Sequence, residues 1–416
     1  MDPRHGNEPH GALRRAPRRG LGALLCGERL DGGRDPDGTA IHGDRAKACR
    51  KHGRLSYGEQ VHGRRKMKMD TFTKAVRFQH PEYIPMSFSI NAACWHHYPK
   101  EALWDLMESH PFLFSGFTRP TSDWMPSYGC NARADSPYTD PMGCVWHTSD
   151  NGITGTVLEH PLKDWSAFGT TWHIPDPNIT DGLSLVNWNA HEAAWKNIKA
   201  NGGCFGGSLR HGHTFLQLCD LRGYENLLGD MWDEEPLLDE LIEQLTDFNL
   251  ALVLRYVSNG CSTMAYPEDL GMQKGPMLSP AMFRRYIKPA YEKLMRPARD
   301  AGIPIHMHSD GDIRDLVSDI VDSGVEIINL QDLVNGIDWI ADRFRGKTCV
   351  ELDIDRQCVT PYGTPAEVDA LIREEVEKLS TPAGGLCMIY GLYPGVPLEN
   401  VKALMDAMET YAFYYS

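Results

Sequence analysis

No run of about 18 apolar residues, the length a helix needs to cross a bilayer, occurs in this chain of 416 residues. A membrane-spanning function is therefore not expected. Gly20 to Cys26 is too short and too poorly flanked to read as a secretory leader, so a cytoplasmic protein is expected. The 11 cysteines are odd in number and form no CxxC pair. In a chain long enough to fold without staples they read as reduced thiols, most of them, including Cys204, Cys219, Cys261 and Cys349, as small core residues. No glycine-rich fingerprint follows any strand-like run, which argues against a dinucleotide-binding doubly wound sheet.

Positive charge is scarce everywhere except at one end. Residues 1–68 hold 16 Lys and Arg against 8 Asp and Glu, with 12 glycines and little apolar periodicity. With the whole chain at −14, the remaining 348 residues carry −22. A field of that sign repels phosphate, so nucleic acid and anionic membrane are not expected partners. The basic segment has the charge of an RNA-binding arm or a transit peptide but lacks an amphipathic Ser-rich pattern. It reads as a disordered or non-native extension, with the folded chain starting at Met67 or Met69.

From Met69 onward, strand-like runs alternate with helical periodicity, the pattern of a parallel α/β architecture. Strands are expected at Ile84 to Ile90, Gly203 to Leu209, Ser262 to Tyr266, Pro304 to His308, Val325 to Leu330, Thr348 to Leu352 and Gly385 to Ile389. Asp233 is expected to cap a long helix carrying Leu237, Leu238, Leu241, Leu245, Phe248 and Leu252 on one face. Met282 to Asp300 reads as a helix that Pro289 kinks or breaks. Thr364-Pro365-Ala366-Glu367 is a capping box. Between Asp140 and Leu162 turn residues and β-formers predict a hairpin or lid. The βα repeats fit a (β/α)8 TIM barrel with a small inserted β-hairpin.

In such a barrel the chemistry projects from the carboxyl ends of the strands. The polar residues there are Asn91, His211, His213, Glu268, Asp269, His308, Asp310, Gln331, Asp332, Asp353, Asp355, Cys387 and Tyr390. His308 and Asp310, two apart, can point to the same side. With Cys387 and a further donor in Glu268 they would make a mixed N/O/S site compatible with zinc. The alternative is that His308 bonds a neighbouring strand and Cys387 is core. His306 shares the register of His308 and can replace it. Arg210 and His211 are read as a substrate-anion anchor or as a solvated loop, Asn91, Gln331, Asp332 and Asp353 as substrate-binding, and Glu268, Asp310 and Tyr390 as catalytic. Trp95 and Trp146 can form an apolar wall.

The run Glu268 to Pro280, Phe283 to Pro289, His308-Ser309-Asp310-Gly311-Asp312-Ile313, Gly324 to Gln331, Gly363 to Val368, Gly384-Gly385 and Pro397 to Val401 resembles the uroporphyrinogen decarboxylase superfamily. The resemblance covers residues 69–416. It implies a TIM barrel and one of two activities, cofactor-free decarboxylation or zinc-dependent methyl transfer with a corrinoid protein. Decarboxylases of the family carry an arginine-rich N-terminal segment for the porphyrinogen carboxylates, whereas the equivalent Met86 to Cys94 has no arginine. The methyltransferases hold zinc through a His-x-Cys pair and a distant cysteine. His308 and Cys387 match the outer two ligands and Asp310 stands where the middle cysteine would be. That exchange makes the metal a harder Lewis acid. The resemblance thus implies a corrinoid-linked methyltransferase or demethylase of a small molecule, with zinc on His308, Asp310 and Cys387. Cobalamin would arrive on a separate corrinoid protein, since no Asp-x-His-x-x-Gly segment is present. A carboxy-lyase using Asp310 or Asp353 and a barrel that only binds ligand are the alternatives.

Overall fold

The computed structural model describes residues 69–121 and 123–416, and the basic extension 1–68 lies outside the described residues. Strand β1 (Met86–Ile90) comes first. Three short strands follow, β2 (Tyr138–Thr139), β3 (Val145–His147) and β4 (Thr156–Glu159). Then come β5 (Gly207–Ser208), β6 (Met264–Pro267), β7 (Ile305–Ser309), β8 (Ile327–Gln331), β9 (Cys349–Asp353) and β10 (Leu386–Leu392).

Seven strands make one sheet in the order β1-β10-β9-β8-β7-β6-β5, and every pairing is parallel. The first strand lies beside the last, which is the cyclic order of a barrel opened between β1 and β5. The sheet is therefore a curled half-barrel. Among the described residues seven parallel strands pair and no eighth closes the sheet, so of the expected (β/α)8 barrel the parallel, curled α/β part is present. Where the second strand of a barrel would run, the chain builds instead an antiparallel three-stranded sheet, β2-β3-β4. The expected hairpin is thus a small sheet. β8 is buried at all five positions, as parallel strands covered on both faces must be.

Helices follow the strands and cover the outer face. The long helix spans Pro236–Ser258, capped by the Glu235 side chain, which accepts from Leu237 N. Asp233, expected to be the cap, instead ends the preceding helix Tyr224–Asp233. Near Pro289 the interruption falls one turn earlier than the proline, as a π-turn at Phe283–Ile287. Pro289 then occupies the first turn of the helix Lys288–Asp300, where its missing N–H costs nothing. The Thr364 and Glu367 capping box forms and opens the helix Pro365–Leu379. No described helix is long and apolar enough to cross a membrane.

Candidate functional site

Strand alternation decides which polar residues face the inside of the curl. On β7, Ile305, Met307 and Ser309 are buried while His306 and His308 are half-buried. His308 lies in register with Pro267 of β6 and with Asn329 of β8, and Asn329 with Glu351 of β9. These positions and those two residues away share the inner face. Just past β6, Asp269 therefore points inward and Glu268 outward.

Glu268 is fully buried on the helix side. Its Oε1 accepts from Thr214 N at 3.0 Å and Leu216 N at 2.9 Å, and Tyr291 donates its hydroxyl to Oε2. Burial pushes its carboxyl up to about 7 against those hydrogen bonds. The residue thus caps a helix, and of the adjacent pair Asp269, not Glu268, faces the inner cluster.

His308 is the hub of the inner face. Its Nδ1 pairs with Asn329 Oδ1, whose amide orientation is fixed by Nδ2 donating to Glu351 O at 2.6 Å. Nε2 is thereby turned toward the carboxylates, 3.4 Å from Asp269 Oδ1 and 3.7 Å from Asp310 Oδ1. His211 Nε2 reaches the same Asp269 oxygen at 3.3 Å. Burial opposes charge on His308, but the hydrogen bond to Asp269 and the charges of Asp310, Asp269 and Asp353 outweigh it and raise its pKa to about 9. Asp269 is held well below the usual carboxylate range, because its bonds to His211 and His308 overcome its own burial.

Arg356, three residues beyond the end of β9, forms the other side of the cluster. Its Nη2 donates to Asp353 Oδ2 at 2.6 Å and to Asp310 Oδ1 at 3.2 Å. Asp353 is buried, its Oδ1 has no hydrogen-bond partner, and burial pushes its carboxyl up to about 7 against the attraction of Arg356.

Two glycines bring the loops together. A Cβ on Gly311 would lie 2.2 Å from the Gly271 carbonyl carbon, and Gly311 has φ +80°. Gly271 N donates to Asp310 O at 3.1 Å and Asp310 N to Asp269 Oδ1 at 3.0 Å. Only glycine at both places allows backbone to touch backbone, and that contact sets Asp269 beside Asp310. Gln331 supports the turn by accepting from Gly311 N at 3.0 Å.

Two sets of three ligand types converge among the described residues, His211 with Asp269 and His308, and His308 with Asp310 and Asp353. Cys387 belongs to neither. It shares a register line with Glu351 and hence with Asn329 and His308, but β10 lies three strand spacings of about 4.8 Å from β7. It packs instead with Ala75, Val76, Ile327 and Cys349, and its pairing with Cys349 together with burial raises its thiol pKa well above the ordinary range.

The other expected residues have structural partners. Arg210 is buried against Asp220 at 2.7 Å and lies over the Trp146 ring, so its charge is already matched. Asn91 accepts from Ala93 N in the turn after β1. Asp332 accepts from Asp355 N at 2.9 Å. Tyr390 is buried and donates to Thr360 Oγ1 at 3.1 Å. Trp95 packs against Trp104 and Trp124, away from the cluster. Asn329 and Arg356 were not legible as site residues. Alternation along β8 from Gln331 would have found the first, whereas nothing in a loop arginine's sequence announces the second.

Residues 214–411 match the family model described as uroporphyrinogen decarboxylase (URO-D). That match spans just under half of the chain. Asp269, His308, Asp310, Asp353 and Arg356 all fall inside the matched stretch, while His211 precedes it. A uroporphyrinogen decarboxylase of Thermus thermophilus is 29% identical over 188 residues, covering 44% of this chain and 51% of that protein. A methylcobamide:CoM methyltransferase of Methanosarcina barkeri is 24% identical over 181 residues, covering 41% and 50%. The chain thus spans about half the length of the curated relatives it matches. A solved methyltransferase from Methanosarcina mazei aligns with a TM-score of 0.55 at 16% identity, over 83% of this chain and 98% of that one, which shows a shared fold. The similar proteins include both a decarboxylase and methyltransferases, and the likeness alone does not choose between them.

Proposed function

We propose that this chain is a metal-dependent methyl-transferring enzyme of its superfamily, with His211, Asp269 and His308 as metal ligands. The observation that carries the reading is the spacing of two imidazole nitrogens, 3.3 and 3.4 Å from one oxygen of Asp269. About 3.4 Å is the edge of a tetrahedron with bonds of about 2.1 Å, the zinc–nitrogen and zinc–oxygen lengths. The Asn329 bond to Nδ1 fixes the tautomer a ligating histidine needs. The carboxylates that raise the pKa of His308 would attract a divalent cation in the same way. The second group, His308 with Asp310 and Asp353, is a poorer cradle because Arg356 already neutralises both acids. Zinc is the metal the resemblance implies.

Bound there, such a cation supplies Lewis-acid polarisation of a methyl-bearing oxygen or nitrogen. This chain's own residues do the rest. Asp310 and Arg356 face the substrate from the open side and orient it, and the unpaired Oδ1 of Asp353 is placed to hold or give a proton. The methyl acceptor in this reading is cobalamin on a separate corrinoid protein, in keeping with the likeness to a methylcobamide-dependent relative.

A metal-free carboxy-lyase is the second reading, favoured by that buried and unpaired oxygen of Asp353, which could stabilise a cationic intermediate. The Met86 to Ile90 strand supplies no arginine, and Arg356 alone cannot pair the carboxylates of a porphyrinogen.

Elemental analysis of the full chain after incubation with zinc tests the proposal. About one ion per chain is expected, lost in His308→Ala and in Asp269→Ala, together with methyl transfer to cob(I)alamin. A protein that takes up no metal overturns it and leaves the lyase reading.

A further inference from the structure

Beside the His308 cluster the loops after β9 and β10 enclose a cleft of about 380 Å³. Its walls are Tyr362, Tyr390, Tyr393, Pro361 and Val396, and Arg356 lines it from the side of the cluster. The rings are held in different ways. Tyr390 is fixed by its bond to Thr360 and packs on Phe88 at 5.2 Å between centroids. Tyr393 lies under the Arg356 guanidinium at 5.5 Å, and Tyr98 anchors the backbone of that loop by donating to Val396 O at 2.8 Å. Tyr362 is 85% exposed at the rim of the cleft, an unusual position for a large ring.

Arg356 is the shared wall between cleft and cluster. Both of its carboxylate bonds come from Nη2, and among the described residues Nε and Nη1 donate to nothing. A half-buried guanidinium with unused N–H groups is a ready receptor for a carboxylate. It also disfavours a cation between the tyrosines, since like charges a few ångströms apart repel strongly in a partly desolvated cleft. The volume lies near the lower end of ligand clefts, about 300–1,000 Å³, which suits one ring rather than a tetrapyrrole. Tyrosine faces and proline edges favour a flat partner.

We propose that this cleft is the substrate subsite and that it takes a single-ring aromatic carboxylate, the ring between the tyrosines and the carboxylate on Arg356. The proposal rests on the methyl-transfer reading for what happens next. Asp310 bridges the 3.2 Å to Arg356 and the 3.7 Å to His308 Nε2, so a group on the ligand beside its carboxylate comes within reach of the cluster.

Calorimetric titration with 2-methoxybenzoate, whose methoxy group sits beside the carboxylate, tests it, run on the full chain with metal removed by chelation and again after zinc loading. Binding is expected in the chelated protein. 2-Methoxybenzamide, the uncharged isostere, should bind at least about tenfold more weakly, and Tyr362→Ala should weaken the acid about tenfold. Arg356→Gln should abolish binding. Because Arg356 also ties down Asp310 and Asp353, the exposed Tyr362 provides a variant that leaves folding intact. Equal affinity for acid and amide, or unchanged affinity in Tyr362→Ala, overturns the assignment, as does an absence of binding in both metal states. Binding without zinc uptake would sink the metal reading and leave the subsite standing. Zinc uptake without binding would do the reverse.

Discussion

Two polar layers lie on the inner face of the same curled sheet, and they differ in how many partners each group finds. At the amino-terminal side, His306 meets Glu351 at 2.7 Å, one imidazole to one carboxylate, above Cys349, Cys387 and the helix Met69–Val76. At the carboxyl-terminal side His308 meets Asp269 and Asp310 with Asp353 beyond, and His211 crowds the same Asp269 oxygen. The residue types are nearly the same. The lower layer sets one imidazole, whose Nδ1 is buried without a hydrogen-bond partner, against a carboxylate, whereas the upper one gathers three carboxylates around the one imidazole of His308. Buried carboxylates in excess call for a proton or a cation, and that excess of negative charge is the ground for placing the proposed site in the upper layer.

The comparison breaks if the two layers respond alike to loss of a supporting residue. Asn329→Ala frees the His308 ring while leaving every proposed ligand in place, and it is expected to lower zinc affinity about 10–100-fold. His306→Ala, one layer down, is expected to leave affinity unchanged and to lose stability instead, since the 2.7 Å bond between the imidazole and Glu351 is lost. Competition with a chromogenic chelator measures both. Equal losses would mean that His308 holds no privileged place.

The same rule of excess applies to Asp332 and Glu375, two carboxyls 1% and 0% exposed. Neither oxygen of Glu375 has a donor, and the group it faces is Asp332. Burial raises both, Glu375 well above its ordinary range. Asp332 accepts from Leu333 N and Asp355 N, which favours its charged form, so the shared proton resides on Glu375. A folded pKa raised above the unfolded one means that the native state holds the extra proton above about pH 4.5. Stability contributed by the pair is then lost as pH climbs from there, by up to about 1.4 kcal/mol per pH unit. Glu375→Gln supplies a permanent N–H to Asp332 and should flatten that slope, gaining on the wild type between pH 6 and 9 in denaturant unfolding. Superimposable pH profiles would place the proton elsewhere.

Gly311→Ala tests what holds the upper layer together. Its Cβ would enter the Gly271 backbone at a positive φ, so a loss of about 3 kcal/mol is expected, with weaker zinc binding as Asp269 and Asp310 separate. A loss below about 1 kcal/mol, the ordinary entropy and propensity effect, would show that the loops can part without cost.

The sequence carried the parallel architecture because apolar runs and helical periods alternate with little ambiguity, and it carried the Thr364 cap because that motif is local. It did not carry the seven-stranded sheet found among the described residues, since closure depends on a segment whose β-formers pair with each other instead. At the site, His308 and Asp310 were legible from strand ends, but Glu268 and Asp269 are adjacent and only the register on β6 separates a helix cap from a cluster member. Arg356 sits in a loop, where neither alternation nor helical period constrains it. Both the strand-end position and the resemblance point Cys387 to the site, yet a register line that spans three strands does not bring its ends together.

Cys387→Ala therefore has the smallest expected effect and the sharpest bearing on the comparison. The thiol is 2% exposed among Ala75, Val76, Ile327 and Cys349, so its removal leaves a small cavity beneath the first helix and costs about 1 kcal/mol. Zinc content should match the wild type, because the sulfur lies in the lower layer with His306 and Glu351, away from the proposed ligands. Loss of zinc from this variant while its unfolding midpoint stays near the wild type would mean that the sheet curls more tightly in the metal-bound protein and brings β10 to His308. The two layers would then be one site.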